Sequence, residues 1–232
     1  MGIIFNHEHQ AYKEKQKKLR LNKFNGAYYY SKEITDNIIP LVKTDRNWVL
    51  VNVEGYAWDH SIVFIHNNKH PSLYSWLKNY KDLILVCGVP STCDKVAHLG
   101  TPIYLPLSVD VDYISKFKVN EKTKEIAYVG RKEKAYGIKF DIPWVTHIEN
   151  MPRENLLREM AKYKKVYAVG RCAIEAKALG CEVLPYDSRF PDPDIWQVLD
   201  NKDAAYMLQE KLDDIDSLKR GDTNEDQKVY NC

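Results

Sequence analysis

The chain has 232 residues, enough for one large domain or two small ones, and its 44% hydrophobic and 28% charged residues are typical of a globular protein. A net charge of +2 produces no overall field that would require nucleic acid or an anionic membrane as partner. Five cysteines without regular spacing favour a reducing compartment, and the absence of a recognisable leader or of an apolar run near ~20 residues predicts a cytoplasmic protein without a transmembrane segment.

The first local bias is a basic stretch near the amino terminus. Six Lys or Arg and one Glu lie between Lys13 and Lys23, within AYKEKQKKLRLNKF. Such a charge run is typical of a solvated helix face. The alternative is an electrostatic contact with phosphate or with anionic lipid, and the stretch alone does not decide between the two.

Short apolar runs then alternate with amphipathic segments. The runs at 47–53, 61–67, 82–88 and 101–107 predict strands, and the segments at 71–80 and 91–99 predict helices. Because the apolar runs are almost continuous, we expect these strands to be covered on both faces. Strands that alternate with helices indicate a parallel sheet with right-handed crossovers.

A second series of the same kind follows a polar stretch, which predicts two α/β domains. The polar stretch at 108–124 is interpreted as a linker between domains at 1–107 and 125–232. Both domains are expected to be small Rossmann-like units that face each other across a cleft. In the second series we predict strands at 126–130, 143–148, 165–170 and 182–186, and helices at 152–163, 171–179 and 203–218.

Open parallel sheets bind ligands beyond the carboxyl ends of their strands, so the residues after each strand are the candidate site residues. Gly130 ends one predicted strand, and Arg131 and Lys134 follow it. Arg offers a fork of donors and Lys a mobile charge, and both suit a phosphate or a diphosphate. The alternative is an exposed basic turn.

The run VYAVGRCAIEAKALGCEV contains the second candidate site. Gly170 ends a strand, Arg171 begins a short helix, and Glu175 lies one turn into that helix. Free backbone N–H groups in the first turn favour an anion. A carboxylate among Ala, Ile and Leu is costly to bury unless it is paired, and it could accept both hydroxyls of a ribose diol. The alternative is a solvated helix glutamate.

The amino-terminal half offers one candidate base and no convincing metal site. His66 follows a predicted strand, and its pKa near neutrality suits a general base, although a hydrogen-bonded structural histidine is the alternative. His60 precedes the same strand and should lie at the opposite end of the sheet. The letters DVD at 110–112 match an Asp-x-Asp metal site, but they fall in the predicted linker, so no metal ligand is assigned.

The order of these motifs resembles that of GT-B glycosyltransferases of the glycosyltransferase 4-like group (group 1 family). The matching segments are YVGRKEK (128–134) and IEAKALGCEVL (174–184), within a resemblance that covers roughly residues 82–187. The resemblance implies a diphosphate site at Gly130, Arg131 and Lys134. It also implies that Gly170, Arg171 and Glu175 bind a nucleotide sugar, with the ribose on Glu175. The donor is then a substrate, and no separate cofactor is implied.

Two departures from the family keep a second function open. Retaining members carry another glutamate eight positions before the Glu-Ala pair, and this chain has Tyr167 there. The stretch between the two motifs is also shorter than in the family, so the fold would be reduced in size. The leading prediction is sugar transfer to a glycan or to modified DNA. The alternatives are a non-catalytic nucleotide or nucleotide-sugar binder and a protein that keeps the fold as a scaffold only.

Overall fold

The computed structural model describes residues 2–5, 26–50, 55–66, 70–130, 145–149, 151–185 and 192–220. Within these ranges the chain divides into two compact units. Unit 1 holds the described residues of Met1–Arg20, Ile34–Pro106 and Lys202–Cys232. Unit 2 holds those of Leu21–Glu33 and Leu107–Asn201.

Each unit is therefore formed from separate stretches of sequence, whereas the sequence analysis gave each domain one continuous stretch. The reason is that a helix is assigned to a unit by its packing, which need not follow chain order. The assignment of separate functions to domains at 1–107 and 125–232, joined by a linker at 108–124, stays a prediction.

The described α-helices are short except for the last one. They are α1 (Gly26–Glu33), α2 (Pro90–Val96), α3 (Val111–Ser115), α4 (Arg153–Met160), α5 (Arg171–Ala178) and α6 (Asn201–Arg220). Tighter or wider helical turns occur at Ile34–Ile38 (π), Ile39–Leu41, Pro71–Asn79, Ala97–Leu99 and Pro193–Ile195 (3₁₀). Among the described residues, no helix combines the length and the apolar character that crossing a bilayer requires.

Unit 1 contains a parallel sheet of five strands that lie side by side in chain order. The strands are β1 (Ile3–Phe5), β2 (Asn47–Leu50), β3 (Ser61–Ile65), β4 (Leu83–Cys87) and β5 (Thr101–Tyr104). Four of them confirm the predicted strands. The sequence analysis missed β1, because three apolar residues before a polar stretch give too short a pattern to indicate a strand.

The central strands of unit 1 are covered on both faces, as their continuous apolar runs predicted. Every residue of β3 and of β4 is buried. On one face, Val63 and Leu85 pack in a cluster with Tyr74 and Leu77 of the 3₁₀ segment. On the other, the rings of Trp48 and Phe64 stack with their centroids 6.2 Å apart.

Unit 2 contains a parallel sheet of four strands in the order β7-β6-β8-β9. The strands are β6 (Lys124–Val129), β7 (Thr146–Ile148), β8 (Tyr163–Tyr167) and β9 (Glu182–Leu184). All four confirm predicted strands, with α4 and α5 between them as expected. The fold class is therefore α/β with parallel sheets in both units, which is consistent with Rossmann-like units.

The segment predicted as a linker contains ordered structure of its own. Asp110 caps α3 by accepting a hydrogen bond from the Tyr113 backbone N–H at 2.8 Å. Ile114 is fully buried. A helix of five residues shows too little periodicity to be recognised in a polar sequence, so only its packing in unit 2 reveals it.

The helix that carries the second candidate motif ends where the sequence predicted. Gly180 has φ 77°, the left-handed conformation that favours glycine after a helix. Its N–H donates to Lys177 O at 2.8 Å, and the N–H of Cys181 donates to Ala176 O at 2.9 Å. This stop sets the point at which α5 ends and the chain turns into β9.

Candidate functional site

The strand order of unit 2 creates a topological switch point between β6 and β8. From β6 the chain crosses to β7 on one side, and from β8 it crosses to β9 on the other side. The two strands are neighbours, with Tyr128 opposite Tyr167 near their carboxyl ends. In open α/β sheets this crevice is where ligands bind. Gly130 follows one of these strands and Gly170 the other, so both glycine motifs lie at this edge.

The turn after β8 requires a glycine. Gly170 has φ 61° and ψ −135°, a combination that residues with a Cβ rarely adopt. A Cβ there would meet nothing within 4 Å, so the backbone conformation, and not crowding, explains the residue. Arg171 begins α5, and no side chain caps the helix. Backbone N–H groups of the first turn therefore face this edge without an intrahelical acceptor.

The end of β6 is held by a histidine that the sequence analysis did not single out. His147, in β7, lies with Nε2 2.5 Å from Gly130 O, so Nε2 carries a proton that it donates to this carbonyl. The His147 ring also packs against Tyr128 at 5.0 Å between centroids. Glu149 Oε1 is 3.6 Å from Nδ1. Only the pairing of β7 with β6 brings His147 here. Arg131 and Lys134, the predicted diphosphate ligands, lie outside the described residues.

Glu175 is buried and paired, which answers why an acid occurs in this helix. The residue is 2% exposed. Its Oε1 accepts a hydrogen bond from Arg171 Nε at 2.8 Å and lies 3.1 Å from Arg153 Nη2. Among the described residues, none donates a hydrogen bond to Oε2. The two arginines supply the compensation that a buried carboxylate needs.

A second carboxylate completes this group, and we call Glu33, Arg153, Arg171 and Glu175 the four-charge cluster. Oε1 of Glu33, the last residue of α1, accepts hydrogen bonds from both Arg153 Nη1 and Arg171 Nη2. The side chains of the cluster are between 3% and 12% exposed. Two positive and two negative groups leave it neutral overall.

Polar and aromatic neighbours hold the cluster in place. Asn201 Nδ2 donates to Glu33 Oε2 at 3.2 Å, and Ser108 Oγ donates to Asn201 Oδ1 at 2.8 Å. The guanidinium of Arg153 lies 5.7 Å from the ring centroid of Tyr29 and 5.3 Å from that of Tyr113. Cation–π contacts of this kind favour a desolvated arginine.

Burial and charge act in opposite directions on the ionisable groups of the cluster. Burial alone would raise the pKa of Glu33, but the charges of Arg171 and Arg153 outweigh it, and this pKa is lowered. Burial alone would lower the pKa of Arg171, but Glu175 and Glu33 outweigh it, and this pKa is raised. Both groups are therefore charged at neutral pH. Burial raises the pKa of the neighbouring Cys172 to about 12.

His66, the predicted base, belongs to unit 1 and follows the carboxyl end of β3. It is partly buried, and its backbone N–H donates to the Tyr74 hydroxyl at 2.9 Å. Its position at the ligand-binding edge of the unit 1 sheet agrees with the pattern, while its role as a base stays a prediction. The described residues hold no group of three or more His, Cys, Asp or Glu that could bind a metal ion.

No protein family, curated protein or solved structure matches the chain significantly. The functional argument therefore depends on the geometry of the strand ends.

Proposed function

We propose that the protein is a glycosyltransferase that binds a nucleotide sugar at the carboxyl edge of the unit 2 sheet. The switch point between β6 and β8 is the observation that carries the proposal. At this point two neighbouring strands, each followed by a glycine, end close to the uncapped amino terminus of α5. A GT-B-like arrangement of two Rossmann-like units is part of the same proposal.

Each predicted residue has a defined role in this proposal. Arg131 and Lys134 bind the diphosphate, together with the backbone of Gly130 and Gly170. Arg171, the first residue of α5, is the third cation of the proposed diphosphate site, and its guanidinium is held in place by two carboxylates. These groups would also stabilise the negative charge that develops on the leaving nucleoside diphosphate during sugar transfer.

The proposed ribose contact involves the second oxygen of Glu175. Oε1 is engaged by two arginines, so Oε2 is the atom for the ribose diol. Because Glu175 is 2% exposed, the side chains that cover it must move before a ribose can reach it. A carboxylate oxygen accepts hydroxyl hydrogen bonds strongly.

His66 is the proposed general base for the acceptor. A base removes the proton from the attacking hydroxyl as the bond to the sugar forms. The acceptor is a glycan or modified DNA. The basic stretch 13–23 favours DNA, although it lies outside the described residues. Binding to DNA through these cations would weaken steeply with added salt, because neutralised phosphates release counterions.

A non-catalytic nucleotide-sugar binder is the second candidate function. Tyr167, the last residue of β8, stands where retaining relatives in the resemblance have a second carboxylate. Incubation with radiolabelled nucleotide sugars separates the candidates. Release of free nucleoside diphosphate with transfer of label to a glycan or DNA supports the enzyme. Binding without either product supports the binder.

Calorimetry with a nucleoside diphosphate and the matching nucleoside tests the site itself. We expect R131A/K134A to weaken diphosphate binding about a hundredfold, because two charged hydrogen bonds are lost, and to leave nucleoside binding almost unchanged. The matched control is R158A/K162A. It removes one Arg near the carboxyl end of α4 and one Lys just beyond that end, in the same unit. Equal losses in both variants, or equal losses for both ligands, would contradict a phosphate role.

A further inference from the structure

Two arginines from different helices converge on one carboxylate oxygen. Arg153 is the first residue of α4, and Arg171 is the first residue of α5. Both donate to Oε1 of Glu33. Neither helix has a side-chain cap. The Glu33 carboxylate therefore lies where the guanidinium groups of the first residues of two helices meet, which is an environment suited to an anion.

Glu33 does not use all the hydrogen-bond donors of the two arginines. Nη1 of Arg171 is buried and has no hydrogen-bond partner among the described residues, and its side chain is 9% exposed. Nε of Arg153 is in the same situation. A carboxylate presents two oxygens, whereas a phosphate group presents three or four and could accept from more of these donors. Glu33 thus compensates the charge of the two arginines but leaves some of their hydrogen-bond donors unused.

The source of Glu33 also distinguishes it from Glu175. Glu175 belongs to α5 itself, four residues after Arg171, and is fixed by the helix. Glu33 is the last residue of α1, directly before the π-helical turn Ile34–Ile38, and comes from a separate stretch of the chain. Withdrawal of Glu33 would leave two arginines and one glutamate, a local charge of +1.

We propose that the arginine pair Arg153 and Arg171 is a phosphate-binding site which Glu33 occupies as an internal substitute for the ligand. The ligand class is a phosphate or diphosphate group. Ligand and Glu33 compete for the same donors, so binding requires that Glu33 leaves the pair. This inference deepens the proposed function, because it rests on a nucleotide sugar as ligand and adds a self-occupied resting state to its site.

Removal of the Glu33 charge tests the competition directly. Inorganic pyrophosphate is titrated calorimetrically into the wild-type protein, E33Q and E154Q. We expect E33Q to bind pyrophosphate about tenfold or more tightly than wild type, because the competing carboxylate is gone. Glu154 neighbours Arg153 and accepts from the Tyr113 hydroxyl, so E154Q makes the same charge change outside the arginine pair and should resemble wild type.

The arginine requirement is tested in the same titration. The gain in E33Q should disappear in E33Q/R171M, because Arg171 supplies the charge and the buried Nη1. Equal pyrophosphate affinity in E33Q and wild type would overturn the proposal. So would an equal gain in E33Q and E154Q, which would indicate a general charge effect.

A second variant covers the case in which E33Q folds poorly. In E33A the carboxylate is replaced by space, and added phosphate or acetate should raise its melting temperature by several degrees more than that of wild type. A melting temperature of E33A that responds to these anions only as wild type does would count against an anion site.

The outcomes for this inference and for the proposed function are distinguishable. Pyrophosphate binding by E33Q without binding of any nucleoside diphosphate would support the arginine-pair site and count against a nucleotide sugar. Nucleoside diphosphate binding that is equal in wild type and E33Q would support the proposed function and overturn the role of Glu33.

Discussion

A network of charged residues surrounds a buried arginine in each unit, and the two networks differ in exposure. In unit 2 the four-charge cluster is buried, with no side chain more than 12% exposed. In unit 1 only Arg46 is buried, at 2%, while its partners Asp82 and Asp216 are 40% and 46% exposed. Burial multiplies both the attraction between opposite charges and the cost of leaving one unpaired.

The network of unit 1 lies at the amino edge of its sheet. Arg46, His60 and Asp82 directly precede β2, β3 and β4. His60 bridges two carboxylates, with Nδ1 2.5 Å from Asp82 Oδ2 and Nε2 3.0 Å from Asp45 Oδ1. Lys219, in α6, also donates to Asp82. This edge is opposite to the edge at which parallel sheets bind ligands, so the network is interpreted as a tie between strands and helix.

The comparison separates two uses of ion pairs. At the unit 1 edge, water can replace the lost partner of an exposed side chain, so each exposed pair contributes little. In the four-charge cluster, water has little access, and removal of one group leaves a poorly compensated charge. The buried network is therefore the one that fixes structure strongly and the one that an anionic ligand could exploit.

The largest effect is expected from breaking the buried network. We expect E175L to lower the free energy of unfolding by ~3–5 kcal/mol, because Arg171 and Arg153 would share a single carboxylate in a buried site. R171M should cost a similar amount. Urea unfolding followed by circular dichroism measures both.

The double variant R171M/E175L tests whether Arg171 and Glu175 stabilise the protein through their mutual pairing. It keeps Arg153 paired with Glu33 and leaves the cluster neutral, so its loss should be smaller than the sum of the single losses by about 1–3 kcal/mol. Additive losses would show that the two residues do not act through their mutual pairing.

An intermediate effect is expected for Arg46, the buried member of the exposed network. Arg46 Nη1 donates to the Asp82 backbone carbonyl at 3.0 Å and lies 3.3 Å from Oδ2 of its carboxylate. We expect R46M to lower the free energy of unfolding by ~1.5–3 kcal/mol, since a charged hydrogen bond is lost but Asp82 can be hydrated. K219M, which removes a half-exposed partner of the same carboxylate, should cost less than ~1 kcal/mol. A larger loss in K219M than in R46M would reverse the proposed ranking by burial.

The smallest effect is a pH dependence that arises from His60. Its pKa is raised, first because of the hydrogen bond to Asp82 and then because of that to Asp45. A raised pKa in the folded state stabilises the protein fully below the unfolded value of ~6.5, and this contribution is lost as pH rises through the folded value. The difference in urea midpoint between wild type and H60Q should therefore shrink between pH 6 and pH 9.

The pKa of Asp82 does not act in that pH range. It is lowered, because Lys219, His60 and Arg46 outweigh the opposing effect of burial. The stability it provides is present above its ordinary pKa and is lost only as pH falls through the folded value, in strong acid. H98Q, which replaces an exposed histidine of the same unit outside this network, is the matched control. A constant difference between wild type and H60Q from pH 6 to pH 9 would contradict the assignment.

The sequence by itself determined where most strands lie and that they are parallel. Continuous apolar runs such as DLILVCG and alternation with helices are local patterns, and the described strands reproduce them. It also placed Gly130, Gly170 and His66 after strand ends, because a residue's place along a strand follows from chain order alone. The length of α5 was equally local, since Gly180 ends it.

Only the tertiary structure decided which distant residues meet. The strand order that makes a switch point of β6 and β8 depends on how the crossovers pack. Glu33 lies 120 residues from Arg153 and 138 from Arg171, and no sequence period relates these positions. The sequence could show that an acid stood alone in an apolar helix, but its partners come from other elements. A buried charge is compensated through space and not along the chain, so only the fold could identify what pairs with Glu175.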